Sequence, residues 1–74
     1  MNPKHYKKYK KLGLNIAYYR KDKGLTQEQL AESLNVDRTT ISKLELAISS
    51  ASLDVIFSLA DALDLPVYKL FEFR

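Results

Sequence analysis

From Thr26 to Leu46 the chain reads TQEQLAESLNVDRTTISKLEL, and this stretch holds two short helices with almost nothing between them. Thr26-Gln27-Glu28-Gln29 forms a capping box. The threonine hydroxyl accepts from the backbone N–H three residues on, and the glutamine side chain bonds back to the threonine N–H. The helix begun there turns Leu30, Ala31 and Leu34 inward. It reaches Asn35, a residue whose short polar side chain tolerates the left-handed conformation at which helices stop. Val36 can then pack, and Asp37 is placed to cap the next helix. About three residues separate the two helices, which is the spacing of a helix-turn-helix rather than of a loop.

The second helix of the pair is divided by chemistry. At 100° per residue, Arg38, Ser42, Thr39 and Lys43 fall within an arc of about 140°. Ile41 and Leu44 lie on the opposite side, so the helix is apolar toward its own domain and polar outward. Two short hydroxyls between an arginine and a lysine make a face that can approach closely and hydrogen-bond to base edges. Glu45 falls between the two sides.

Outward from this core motif, Tyr9, Leu12, Ile16 and Tyr19 form one apolar stripe of a preceding helix. Asn2 is placed to cap it before Pro3, and Gly24 after Lys21 and Lys23 to stop it, giving limits near Pro3 or Tyr6 and Lys23. Gly13 costs about 1 kcal/mol against alanine inside a helix, which favours a later start. Downstream, Ser52 caps a fourth helix with Asp54 in its first turn and Leu53, Ile56, Leu59, Ala60 and Leu63 inward, ending near Asp64. Pro66 opens a short fifth helix expected to bury Leu70 and Phe71. The expected fold is all-α, a compact five-helix bundle, with residues 1–11 as a basic N-terminal arm or helix extension and residues 12–74 as the domain.

Composition narrows the function. The 74 residues, 46% hydrophobic and 28% charged, suit one small globular domain. Without cysteine there is neither a disulfide framework nor a thiolate metal site. The single histidine, His5, the lack of a glycine-rich loop and the lack of paired carboxylates among apolar residues speak against catalysis. No apolar run approaches a membrane span and no secretory leader pattern follows the basic start, so a cytoplasmic location is expected, with no membrane, cofactor, metal or small-molecule partner. Charge is uneven: residues 1–23 carry eight Lys and Arg against one Asp, and residues 24–74 carry four against eight acids. The basic end suits a polyanion, although a solvated lysine face has the same composition.

Beyond these readings the sequence resembles a family. Leu25-Thr26-Gln27-Glu28-Gln29-Leu30-Ala31, Val36 through Glu45, Ser52-Leu53 and Ala60-Asp61-Ala62-Leu63 are similar to the phage repressor and Cro proteins, the XRE-like helix-turn-helix regulators. The resemblance covers nearly everything from Leu12 to Phe71. It implies a lambda-repressor-like DNA-binding bundle acting on double-stranded DNA as a homodimeric regulator, a repressor reading an inverted-repeat operator. It assigns base reading to Arg38, Thr39 and Lys43, with Ser42 a further candidate. Phosphate contact falls to Thr26, Gln27 and Thr40, joined by Lys8 and Lys11 of the basic segment. Arg20 and Glu45 match an ion pair that joins the first and third helices behind the DNA surface.

Two departures accompany the resemblance. Ala47 stands where glycine often closes the third helix, and the following Ile48-Ser49-Ser50-Ala51 lacks the usual basic residues and proline. A third helix lengthened by a turn would put Ile48 in the core and leave Leu46 exposed or against a partner. Lys4, Lys7, Lys8, Lys10 and Lys11 would then supply the backbone attraction that the loop lacks. Leu46, Tyr68 and Phe73 are hard to bury, and together with Val67 they point to a dimer surface near the fourth and fifth helices. An interaction module on the same fold, with weak or absent DNA binding, is the alternative.

Overall fold

The computed structural model describes residues 1–73, and Arg74, the end of the expected domain, lies outside them. Four α-helices follow in order: α1 (Tyr6–Asp22), α2 (Gln27–Leu34), α3 (Arg38–Glu45) and α4 (Leu53–Ala62). Short 3-10 turns precede and follow them, at Pro3–His5 and Val67–Phe71. There is no strand among the described residues. The all-α bundle is therefore as expected, except that the fifth helix is a 3-10 turn. Its hydrogen bond from Lys69 N to Pro66 O spans three residues. With three residues per turn, Val67 and Leu70 point inward while Tyr68 and Phe71 point out. Leu70 is fully buried, whereas Phe71, expected in the core, is exposed. Lys69 sits 3.1 Å from Glu72, and that hydrogen bond holds its ammonium above the ordinary lysine range.

One core joins the four α-helices and the C-terminal turn: Leu12 and Ile16 from α1, Leu30 and Ala31 from α2, Ile41 and Leu44 from α3, Ile56, Leu59 and Ala60 from α4, then Leu63 and Leu70. Tyr19 packs against its edge, half-buried. Leu53, expected inward, is exposed, because it sits on the flank of α4 turned away from the centre of the buried set.

All four helices end in the same way. Each has a residue in the left-handed region, Gly24 (φ 71°), Asn35 (56°), Ala47 (57°) and Asp64 (55°). Around each runs a pair of bonds that satisfies the last carbonyls, as from Leu25 N to Arg20 O and Gly24 N to Lys21 O after α1. After the other helices the longer bond runs from Val36 N to Ala31 O, from Ile48 N to Lys43 O and from Leu65 N to Ala60 O. Leu25, Val36 and Leu65 pack on the core at this position, but Ile48 does not. The expectation of a lengthened third helix with Ile48 buried is thus overturned. The helix stops at Glu45, the chain turns at Ala47, and that turn buries the small alanine and leaves Ile48 outside.

The N-terminal half of α1 corrects another expectation. Asn2 Oδ1 accepts from Lys4 N and caps the first 3-10 turn, and α1 then runs unbroken through Gly13. Gly13 is required by proximity rather than flexibility. A Cβ there would sit 2.5 Å from the Glu45 carbonyl oxygen and 2.6 Å from that of Leu44. The α1 and α3 backbones therefore touch at a point only glycine permits. Gly13→Ala is expected to lower stability by about 1–3 kcal/mol by forcing the two helices apart, although alanine ordinarily improves a helix interior by about 1 kcal/mol. Urea denaturation followed by circular dichroism measures it, and a variant as stable as the parent would mean that this contact yields freely.

Candidate nucleic-acid interface

The interface is built from α3 and the start of α2. Ile41 and Leu44 anchor α3 in the core, which turns Arg38, Thr39 and Lys43 to solvent with Ser42 half-buried beside them. Thr40 is also half-buried, and its N–H donates to Asp37 O. Asp37 occupies the cap position with extended backbone angles, but its side chain makes no cap hydrogen bond, contrary to expectation. The first N–H groups of α3 are therefore not closed off by a side chain.

At α2 the capping box is complete: Gln29 N donates to Thr26 Oγ1 at 3.0 Å and Thr26 N to Gln29 Oε1 at 2.9 Å. The N–H groups of Gln27 and Glu28 have no partner within the helix and point along its axis, where the partial positive charge of a helix start favours an anion.

A buried charge network ties these two elements to α1. Arg20 Nε donates to Glu45 Oε2 at 2.6 Å and Arg20 Nη2 to Glu45 Oε1 at 3.1 Å, with side chains only 10% and 6% exposed. Arg20 Nη1 donates to the Leu25 carbonyl at 2.8 Å, and Gln27 Nε2 donates to Glu45 Oε1 at 3.0 Å. The sequence carried no local signal for that last bond, because the two residues meet only once the helices have packed. One carboxylate thus fixes the side chain at the start of α2 against the end of α3.

The basic residues of the N-terminal segment lie elsewhere. Lys8 lines a groove with His5, Leu53 and Phe71, and Lys11 lines another with Tyr18, Glu72 and Phe73. On α1 the Lys11 position is about half a turn from Gly13 and Arg20, which face α3. The structure therefore groups Thr26, Gln27, Arg38, Thr39, Thr40, Ser42 and Lys43, and sets Lys8 and Lys11 apart from them.

Two helices at helix-turn-helix spacing, the second anchored by its apolar side and polar outward, define a helix-turn-helix DNA-binding protein. The chain belongs to the XRE-type helix-turn-helix family, whose profile matches residues 16–70, and it is a DNA-binding transcription regulator. It is similar to the restriction-modification controller protein C.AhdI from Aeromonas hydrophila, with 37% identity over 90% of this chain and 97% of that one and a TM-score of 0.87. The hypothetical transcription factor NHTF from Neisseria is 32% identical over 89% of this chain and 76% of that one, with a TM-score of 0.85. The clp gene regulator ClgR from C. glutamicum is 31% identical over 84% and 80%, with a TM-score of 0.79. No curated protein matches the sequence. Among the described residues no helix is long and apolar enough to cross a membrane.

The ion pair gives a quantitative expectation. Glu45→Leu strands the Arg20 guanidinium and is expected to cost about 3–5 kcal/mol, while Arg20→Met together with Glu45→Leu recovers a large part of that deficit. A double-mutant cycle in urea measures the coupling, and additive effects would mean that the two side chains contribute independently.

Proposed function

We propose that this protein is a dimeric repressor that reads an inverted-repeat operator, each copy laying α3 in the major groove. It acts as a binding protein rather than an enzyme, in the cytoplasm, on double-stranded DNA. The observation that carries the reading is the division of α3, with Ile41 and Leu44 fully or nearly buried and Arg38, Thr39 and Lys43 outward on one arc. Arg38 and Lys43 suit guanine O6 and N7, Thr39 and Ser42 suit hydrogen bonds to base edges, and a threonine methyl suits a thymine methyl. Thr26, Gln27 and Thr40 hold the flanking phosphate, assisted by the open N–H groups of α2. Arg20 and Glu45 keep the two helices in register. The similarity to a restriction-modification controller favours a comparable setting.

Selection of bound fragments from random duplex DNA is expected to return an inverted repeat with half-sites about 34 Å apart. Flat, sequence-independent binding that disappears at moderate salt would instead favour an interaction module on this fold. Within the operator, Arg38→Ala or Lys43→Ala is expected to relax preference at single positions by about 1–3 kcal/mol, while Gln27→Ala weakens all sequences alike. An equal loss across all sequences for all three would overturn the assignment of roles.

The N-terminal lysines are proposed to add long-range attraction to phosphates, Lys8 and Lys11 included. Replacing Lys4, Lys7, Lys8, Lys10 and Lys11 by Gln is expected to flatten the log–log salt dependence by about 0.9 for each phosphate that is no longer neutralised. Fluorescence anisotropy across a salt series reads the slope, and an unchanged slope would assign these lysines to solvation alone.

A further inference from the structure

The outward flank of α1 serves neither the core nor the group of residues around α3. At about 100° per residue, Lys7, Lys10, Lys11, Tyr18 and Lys21 all fall within about 60° of Leu14 on the helical wheel. Every one of these residues is exposed. Leu14 and Tyr18, one turn apart, are 58% and 65% exposed. This arc lies about half a turn from the buried side of α1, which carries Leu12 and Ile16.

A second wall stands beside the arc. Asn15 Nδ2 donates to the Leu70 carbonyl at 2.9 Å and to the Glu72 carbonyl at 3.2 Å, which holds the residues after the C-terminal turn along α1. Phe73 thereby lines one open groove with Lys11, Leu14, Ala17, Tyr18 and Lys21. No residue of α2, α3 or α4 lines that groove.

From this placement we infer that the Leu14 and Tyr18 flank of α1 is a docking surface for an acidic amphipathic helix of another protein. The partner's apolar side chains cover Leu14, Tyr18 and Phe73, and its carboxylates meet Lys7, Lys11 and Lys21. Because no side chain of α3 takes part, docking leaves the DNA-facing residues free. Long-range attraction of the same lysines to phosphates needs no contact and does not occupy the flank.

Charge selects an acidic partner. Four lysines share the arc with the two apolar residues, and the carboxylates at its border are those of Asp22 and Glu72. Glu72 is already engaged by Lys69 at 3.1 Å. A second copy of this chain would set lysine against lysine, which interfaces avoid. An acidic surface is complementary over the whole arc.

Spacing selects a helix. The lysines precede and follow the apolar pair, and Lys7 to Lys21 spans about 21 Å at 1.5 Å per residue. A helix laid along this groove repeats its apolar anchors and its flanking carboxylates at the same pitch. A membrane surface fits less well. An interfacial helix lowers a continuous apolar face about 5–10 Å into the lipid, whereas Lys7 and Lys21 lie within about 20° of Leu14 on the wheel. Nucleic acid fits less well too, since phosphates would use the lysines and leave Leu14 and Phe73 in water.

NMR titration of the isotope-labelled full chain with a synthetic helical peptide of about 18 residues tests this. The peptide carries leucines one turn apart on one face and glutamates on both sides of them. Amide shifts are expected at Leu14, Tyr18, Lys21 and Phe73. Leu14→Ser with Tyr18→Ser is expected to raise the dissociation constant by about tenfold or more, and Lys11→Glu with Lys21→Glu to do the same. Leu53→Ser, at a site on α4 that is 66% exposed, is the control and leaves it unchanged. A peptide with serine for leucine keeps the charge and is expected to bind about fivefold more weakly. Thermal melts by circular dichroism identify any variant that fails to fold, and the other pair then carries the test. No binding, shifts confined to other helices, or equal binding of the serine peptide overturns the docking surface. So does preferential binding of the same α1 amides to vesicles of anionic lipid, which assigns the flank to a membrane. Displacement of the peptide by a short non-operator duplex that shifts those amides overturns it as well, in favour of phosphate.

Discussion

The carboxylate of Glu45 takes hydrogen bonds from two helices at once, from Arg20 of α1 and from Gln27 of α2, while its own backbone closes α3. Taking an arginine and a glutamate out of water costs several kcal/mol each, and their attraction offsets that cost only when geometry is good and the remaining donors are met. Here they are met: the guanidinium has a third acceptor in the Leu25 carbonyl, and no buried side-chain nitrogen or oxygen among the described residues lacks a partner. A hydrophobic replacement of similar shape could match the pair in stability, but it would not hold Gln27. The pair therefore does more for geometry than for stability, because it fixes the angle between the start of α2 and the polar face of α3.

Gly13 complements this from the backbone side. The network pulls α1 toward Glu45, and the missing side chain at Gly13 lets the two backbones meet at the carbonyls of Leu44 and Glu45. Both contacts sit at the C-terminal end of α3, where the chain must also turn. Ala47 makes that turn in the left-handed region, which is strained for a residue with a Cβ by about 1 kcal/mol. Asn35 and Asp64 adopt the same conformation with side chains that tolerate it, and Gly24 adopts it freely. The strain at Ala47 is concentrated beside the joint that orients α3, where a longer or looser ending would disturb the packing of Gly13.

Much of this was legible in the sequence because it is local. The capping box at Thr26, the left-handed stop at Asn35, the Ser52 cap and the apolar periodicities each depend on residues within one or two turns, and the structure has them. Expectations failed where a local pattern competed with a distant contact. Gly13 counted as a weak point in α1 because its partner lies on α3. Ile48 had the right phase to extend α3, but the turn at Ala47 ended the helix first. Phe71 points outward because the chain there has a 3-10 period, in which Val67 and Leu70 take the inner side. Family resemblance pairs Arg20 with Glu45 but says nothing of Gln27, since nothing near it in the chain announces the bond. The grouping of Lys8 and Lys11 with Leu53 and Phe71 or with Glu72 and Phe73 was likewise invisible before α1 had been packed against the C-terminal turn.

The small size of the molecule makes these joints matter beyond their own neighbourhood. One core connects α3 to α4 and to the C-terminal turn, through Ile41 and Leu44 on one side and Ile56, Leu59, Leu63 and Leu70 on the other. Close-packed interiors transmit displacement rather than absorb it. The polar face of α3 and the outer side of the C-terminal turn thus belong to a single packed unit around that core. Such rigidity means that a displacement at one element is felt at the others. A shift of α3 against α1, as from disruption of the Glu45 network, would change the direction in which the polar face of α3 is presented. The buried ion pair, although it lies behind the polar face of α3, therefore sets the orientation of that face as much as the apolar anchors Ile41 and Leu44 do.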